Sequence, residues 1–162
     1  MLSQYIKEIE LDQDEDLFFD REYFDILMIL LKTLDYTPIK YLIFKILEAL
    51  TFFSEQTCTY IIPYENISFL YNCIEGFNNK ILNFSIQIFG NLIIRIERAY
   101  EQIVQFIPLD VKIIDILISK KYENFKDVIM NTIWLIKEIM KRINEESFID
   151  VWKNIKITAK LF

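Results

Sequence analysis

Few side chains in this chain of 162 residues could carry chemistry. The sequence contains no histidine, two glycines (Gly76 and Gly90) and two separate cysteines (Cys58 and Cys73). Without histidine there is no Ser-His-Asp triad and no histidine metal site, and two glycines cannot build a P-loop or a GxGxxG fingerprint. The cysteines form no CxxC pair, so we expect reduced, partly buried thiols. The inventory predicts a protein that is not an enzyme and has no cofactor or metal.

One acidic run has the spacing of a calcium loop. Asp12, Asp14 and Asp16 alternate as the first ligands of such a loop do. However, Leu17 occupies the position that requires glycine, and Tyr23 occupies the position of the closing glutamate. We therefore predict no calcium site in this run.

The overall charge is acidic, with a net charge of -6 and a pI near 4.8. This balance argues against nucleic acid and anionic membrane as partners. From Met1 to Asp25 there are nine acidic and two basic residues, which indicates either a solvated acidic face or an attraction for basic peptides. The longest uncharged run, Ile81–Ile94, has 14 residues, fewer than the ~18 expected of a membrane helix. The apolar content of 53% predicts a partner or self-association through apolar surface.

Three long apolar segments, each preceded by shorter ones, organise the chain. They are Pro38–Ser54, Asn79–Ile96 and Lys126–Ile143. The 31 isoleucines favour strands by propensity, but 16 or more residues without a turn signal favour helices. We predict shorter helices at 21–34, 55–62, 67–77, 99–106 and 109–119, and terminal helices at 2–11 and 146–160. All three prolines fall at the junctions of these helices, where they cost little. We predict that Thr37, Ser54 and Asn66 cap the helices that follow them.

The long segments recur at a regular interval. Aligning Phe52 with Asn91 gives an offset of 39 residues, and aligning Asn91 with Glu138 gives 47. The mean of 43 falls within the ~40–47 residues of armadillo and HEAT repeats, and the order short, medium, long helix favours armadillo. We predict an all-α fold: a right-handed α-solenoid of about three armadillo-like repeats. The single domain 1–162 would hold repeats at roughly 20–54, 55–97 and 98–143.

Four short segments carry a more specific resemblance. They are Glu48-Ala49-Leu50-Thr51, Glu55-Gln56-Thr57, Ile67-Ser68-Phe69-Leu70 and Gly90-Asn91-Leu92-Ile93, in that order. Together they resemble successive repeats of importin-alpha, the armadillo adaptor that carries nuclear localisation signals, over about Tyr23 to Ile143. The resemblance implies a protein of cytoplasm and nucleus that acts in protein import into the nucleus. It would bind an extended basic peptide in a concave groove.

The resemblance also implies a set of peptide-binding residues on the long helices. In the family, tryptophans sandwich the aliphatic stems of lysine and arginine, and asparagines bond the peptide backbone. The corresponding positions in this sequence are Glu48, Phe52, Gln87, Asn91, Trp134 and Glu138. Among them, Asn91 and Trp134 keep the residue types of the family, whereas Arg95 replaces a residue that the family keeps acidic.

Three of these positions allow more than one interpretation. Gly90 costs ~1 kcal/mol within a helix relative to alanine, which either close helix packing or an approaching peptide would explain. Asn91, a polar residue in an apolar stretch, would face water or a ligand. Trp134 would be a core residue or, with Glu138, half of a cation site. The alternative function is an armadillo- or HEAT-type scaffold subunit that docks in a larger protein assembly.

Overall fold

The computed structural model describes residues 21–76 and 79–142, and in these residues the fold is all-α, as predicted. The predicted terminal helices at 2–11 and 146–160 lie outside the described residues. The described part holds a single 3₁₀ turn, Lys120–Tyr122, and eight α-helices. They are α1 (Arg21–Thr33), α2 (Thr37–Phe53), α3 (Glu55–Ile61), α4 (Tyr64–Gly76), α5 (Asn79–Arg95), α6 (Ala99–Phe106), α7 (Leu109–Ile118) and α8 (Lys126–Met140).

The junction between α2 and α3 follows the sequence signal closely. Ser54 has an extended backbone, and its hydroxyl oxygen accepts a hydrogen bond from the Thr57 amide at 3.2 Å. That bond satisfies one of the amides that the first turn of a helix leaves without a partner. The predicted cap at Ser54 is therefore confirmed.

Two other expected caps are wrong. Thr37 is the first residue of α2, and no side chain caps that helix. Asn66 lies inside α4, where its amide nitrogen donates to the Tyr60 carbonyl at 3.0 Å and its side-chain oxygen accepts from Lys32 at 3.1 Å. Asn66 therefore links three short helices rather than starting one.

The central helix α5 packs against α2 on one side and α8 on the other. Because it has neighbours on both sides, it is buried over most of its circumference, not along one stripe alone. The ten buried residues are Ile81, Leu82, Ser85, Ile86, Ile88, Phe89, Gly90, Asn91, Leu92 and Ile93.

The three long helices run parallel and in register. Between α2 and α5, the rings of Tyr41 and Phe84 lie 5.5 Å apart, and the Phe52 carbonyl accepts a hydrogen bond from Arg95. Both contacts join residues 43 positions apart, so the two helices advance together. Between α5 and α8, two hydrogen bonds near opposite ends of α5, to Asn83 and to the Ile94 carbonyl, span 48 residues each.

One arginine ends α5 and another lies just after the end of α8, and both make the same kind of contact with the preceding long helix. Arg95 donates to the carbonyl of Phe52 at the end of α2, and Arg142 donates at 2.7 Å to the carbonyl of Ile94 near the end of α5. The last carbonyls of a helix lack intrahelical partners and carry partial negative charge. The C-terminal ends of α2 and α5 are therefore each capped by an arginine at or just after the end of the next long helix.

The helix bounds revise the predicted repeat offset. Helices α2 and α5 are 42 residues apart at both their first and last residues, not 39. Residues three apart lie on the same helix face, so the apolar pattern fits both offsets. With an offset of 42, the α2 residues equivalent to Gln87 and Asn91 are Lys45 and Ala49.

Both cysteines lie in the core, Cys58 on α3 and Cys73 on α4. Cys58 and Cys73 are free thiols with at most 1% of their surface exposed, and burial raises the pKa of each to about 12.

In the described part of the chain, none of the helices combines the length and apolar content needed to cross a membrane.

We expect both thiols to resist a thiol reagent in the folded protein at about pH 8 and to react fully in denaturant, because only an accessible thiolate is nucleophilic. The folded pKa exceeds the unfolded value of about 8.5. The stability contributed by the buried thiols is therefore complete below that value and is lost as the pH rises toward 12. Rapid modification of Cys58 or Cys73 in native buffer would contradict this packing.

Candidate functional site

Asn91 is buried, with 5% of its surface exposed, and it faces α2. Its side-chain nitrogen donates to the Thr51 hydroxyl oxygen at 3.0 Å and to the Glu48 carbonyl at 3.3 Å. The Thr51 hydroxyl itself donates to the same carbonyl at 2.8 Å. The Asn91 amide, which we predicted to face water or a ligand, instead joins two helices of the same chain.

Gly90 faces the opposite neighbour. A methyl group added at its α-carbon would overlap the Cζ3 and Cη2 atoms of Trp134 and lie 3.1 Å from Cε3. Trp134 is half-buried and packs against the core. Of the two interpretations of this glycine, close helix packing is the one that accounts for it: the indole of α8 occupies the space that a side chain would need.

Glu138 lies one turn after Trp134 and is also buried, with 8% of its surface exposed. Both of its carboxylate oxygens accept hydrogen bonds from Lys141, at 2.7 and 2.8 Å. An isolated carboxylate would be costly at this depth, and the ion pair compensates its burial. A cation from a peptide would have to displace Lys141 from this carboxylate.

The remaining predicted residues are Glu48 and Phe52 on α2 and Gln87 on α5. Glu48 is half-buried; burial raises the pKa of its carboxyl, while the charge of Lys45 acts in the opposite direction. The Phe52 ring is 53% exposed, and the Arg95 guanidinium lies 6.0 Å from its centroid. Gln87 is half-buried in the middle of α5.

The structure thus brings Glu48 and Asn91 together as packing partners, and it places Trp134 and Glu138 on the other side of α5. Asn91 donates to the Glu48 carbonyl, and Arg95, one turn after Asn91, donates to the Phe52 carbonyl and lies over the Phe52 ring. The sequence interpretation missed the structural role of Arg95 and Arg142. Their separation of 47 residues, equal to the predicted offset between the last two long segments, was the signal that could have revealed it.

A second polar pair lies at the junction of α6 and α7. The Tyr100 hydroxyl is within 3.0 and 2.9 Å of the two carboxylate oxygens of Asp110. Burial raises the pKa of both groups, and the Asp110 charge adds to the effect on Tyr100. The Tyr100–Asp110 pair fixes the helix junction.

Within residues 21–76 and 79–142 no three potential metal-ligating side chains cluster.

Comparison of the chain with family models, with curated proteins and with solved structures found no match. The importin-alpha resemblance therefore depends on the sequence segments alone.

The contact between Gly90 and Trp134 predicts that the effect of Gly90→Ala on the free energy of unfolding changes sign when Trp134 is replaced by a smaller residue. We expect Gly90→Ala to lower the free energy of unfolding, because an overpacked contact costs ~1–3 kcal/mol and exceeds the ~1 kcal/mol gained in helix propensity. In a Trp134→Leu background the added methyl has room, and the same substitution should raise stability by up to ~1 kcal/mol. Urea unfolding of the four proteins measures both effects, and an equal effect of Gly90→Ala in both backgrounds would contradict the contact.

Proposed function

We propose that this chain is a non-catalytic, protein-binding scaffold subunit built as a short armadillo-like solenoid. The helix lengths support this plan, since α3, α4 and α5 and then α6, α7 and α8 repeat the order short, medium, long. The parallel register of α2, α5 and α8 also supports it, because stacked repeats place equivalent helices side by side. Armadillo and HEAT arrays use such surfaces to hold other proteins.

The observation that carries the proposal is an exposed apolar face on α2. The face of α5 that packs on α2 includes Phe84 and Asn91. The equivalent face of α2, by the offset of 42, consists of Leu42, Ile46, Ala49 and Phe53, all exposed. We call these four residues the outer stripe of α2.

The outer stripe is too apolar and too continuous to be an ordinary solvated surface. Leu42 is 53% exposed, Ile46 44% and Phe53 64%, and the four residues follow one helix face at intervals of three and four. In α5 the same face receives a parallel helix. The occupant we propose is therefore an amphipathic helix of a partner protein, lying parallel to α2 as α2 lies parallel to α5.

The competing proposal, from the family resemblance, is an importin-alpha-like receptor for a basic segment that acts in protein import between cytoplasm and nucleus. The exposed ring of Phe52 and the half-buried Trp134 favour it, because aromatic faces can hold lysine stems. The internal bonds of Asn91 and Glu138 weigh against it, since both would have to break before a peptide could use them.

A matched pair of variants tests the scaffold proposal. We expect the sedimentation coefficient of the full chain to rise with protein concentration, because the outer stripe associates weakly with other apolar surface. Ile46→Glu should remove this dependence, because a carboxylate in the middle of the stripe must stay hydrated.

Val111→Glu is the control, since Val111 is 53% exposed but belongs to α7. It should leave the association unchanged. A parent chain that sediments as a monomer at every concentration, or a loss of association that Val111→Glu produces equally, would count against a docking role for the outer stripe.

A further inference from the structure

The long helices carry a charge opposite to that of the whole chain. In the complete sequence 24 acidic residues outnumber 18 basic ones. On α2, α5 and α8 the balance is reversed, with six basic and three acidic residues. The basic ones are Lys40, Lys45, Lys80, Arg95, Lys126 and Lys137, and the acidic ones are Glu48, Asp127 and Glu138.

Five of these nine charged residues lie on one surface of the three long helices, namely Lys45, Glu48, Lys80, Arg95 and Lys137. On α2 the intervals of four, three and four residues place Tyr41, Lys45, Glu48 and Phe52 on one side, next to α5. On α8, Trp134 contacts α5 at Gly90, and Lys137 and Lys141 follow Trp134 at intervals of three and four residues. We call this surface the long-helix face, formed by Tyr41, Lys45, Glu48, Phe52, Lys80, Phe84, Gln87, Arg95, Trp134, Lys137 and Lys141.

The acidic groups on this face and next to it are already paired or partly buried. Glu138 is buried and accepts both hydrogen bonds of Lys141, and Glu48 is half-buried next to Lys45. Lys45 and Lys137, by contrast, are both exposed to water. A ligand approaching this face therefore meets positive charge first.

The floor between these cations is aromatic and polar. Tyr41 and Phe84 contact each other in a tilted pair, and Lys80 lies 5.6 Å from the Tyr41 ring centroid. Gln87, half-buried three residues after Phe84 on α5, offers a donor and an acceptor to a peptide backbone. Such a floor suits side chains and amides, and the basic border suits carboxylates.

We propose that the long-helix face binds an acidic segment of a partner protein, in which carboxylates pair with Lys45 and Lys137 and apolar side chains contact the aromatic floor. The inference rests on the proposed protein-binding function, but it concerns a different surface from the outer stripe of α2 and specifies the charge of the partner. It is opposite in sign to the basic segment that the family resemblance implies.

Charge also separates a peptide from a nucleic acid as the occupant. A nucleic acid extends far beyond a local face and would experience the net charge of -6 of the whole chain. A short acidic segment meets the local field, which is screened within about 10 Å at ordinary ionic strength. The observations therefore favour the peptide.

Fluorescence anisotropy of the full chain with four labelled probes tests the inference. The probes are a peptide of Glu, Asp, Leu and Phe, a peptide in which lysine replaces each acidic residue, a neutral peptide with glutamine there, and single-stranded DNA of equal charge. We expect the acidic peptide to bind at least about tenfold more tightly than the other three, and to weaken as salt is raised.

Two charge variants locate the site. Lys45→Glu with Lys137→Glu should weaken binding of the acidic peptide by about tenfold or more. Lys45→Gln with Lys137→Gln removes the charges without reversing them and should weaken binding by a smaller factor, so it provides the test when the reversal impairs folding. Lys120→Glu with Lys121→Glu, exposed and in the 3₁₀ turn, is the matched control and should bind as the parent does.

Each alternative outcome overturns the inference in a recognisable way. Tighter binding of the basic peptide would overturn the acidic partner but support the receptor proposal, and equal binding of DNA would reduce the face to a general anion surface. An equal loss in the Lys120 and Lys121 control would show that the face is not the site. Absence of binding by all four probes, with the outer stripe still driving association, would sink this inference and leave the scaffold proposal intact.

Discussion

Two consecutive residues of the central helix set the arrangement of the three long helices. Successive residues of an α-helix point about 100° apart, so Gly90 and Asn91 face different neighbours. Gly90 leaves room for the Trp134 ring of α8, and Asn91 donates to Thr51 and to the Glu48 carbonyl of α2. A larger residue at the first position, or an apolar one at the second, would remove the feature that fixes one of the two interfaces.

This constraint determines which polar residues between the long helices are already bonded within the chain. The Asn91 amide and the Glu138 carboxylate already have partners within the chain, and Arg95 caps the preceding helix. Groups that hold helices together are poor candidates for recognition, because a ligand would have to compensate the bonds it breaks. What the packing leaves exposed is an apolar stripe on α2 and a set of lysines around an aromatic floor. The function we propose follows from those surfaces.

Much of the helical framework could be predicted from the sequence, because prolines, the Ser54 cap and apolar spacing act locally. The bounds of α6 agree to the residue, and those of α2 and α5 to within one. The offset between the first two repeats could not be fixed, since residues three apart share a helix face. That ambiguity placed Glu48 and Phe52 opposite Gln87 and Asn91, where the helix bounds place Lys45 and Ala49. Which neighbour a side chain reaches depends on packing across 40 or more residues, and periodicity carries no information about that.

The most direct test is a nuclear Overhauser experiment on the full chain that examines both sides of the Gly90–Asn91 step. The account predicts cross-peaks from the Trp134 ring protons to the Gly90 α-protons, with those protons shifted upfield by the indole. It also predicts cross-peaks from the Asn91 side-chain amide to Thr51. Ordinary Gly90 shifts with no contact to Trp134, or an Asn91 amide that exchanges freely with water, would contradict the stacking of the three helices.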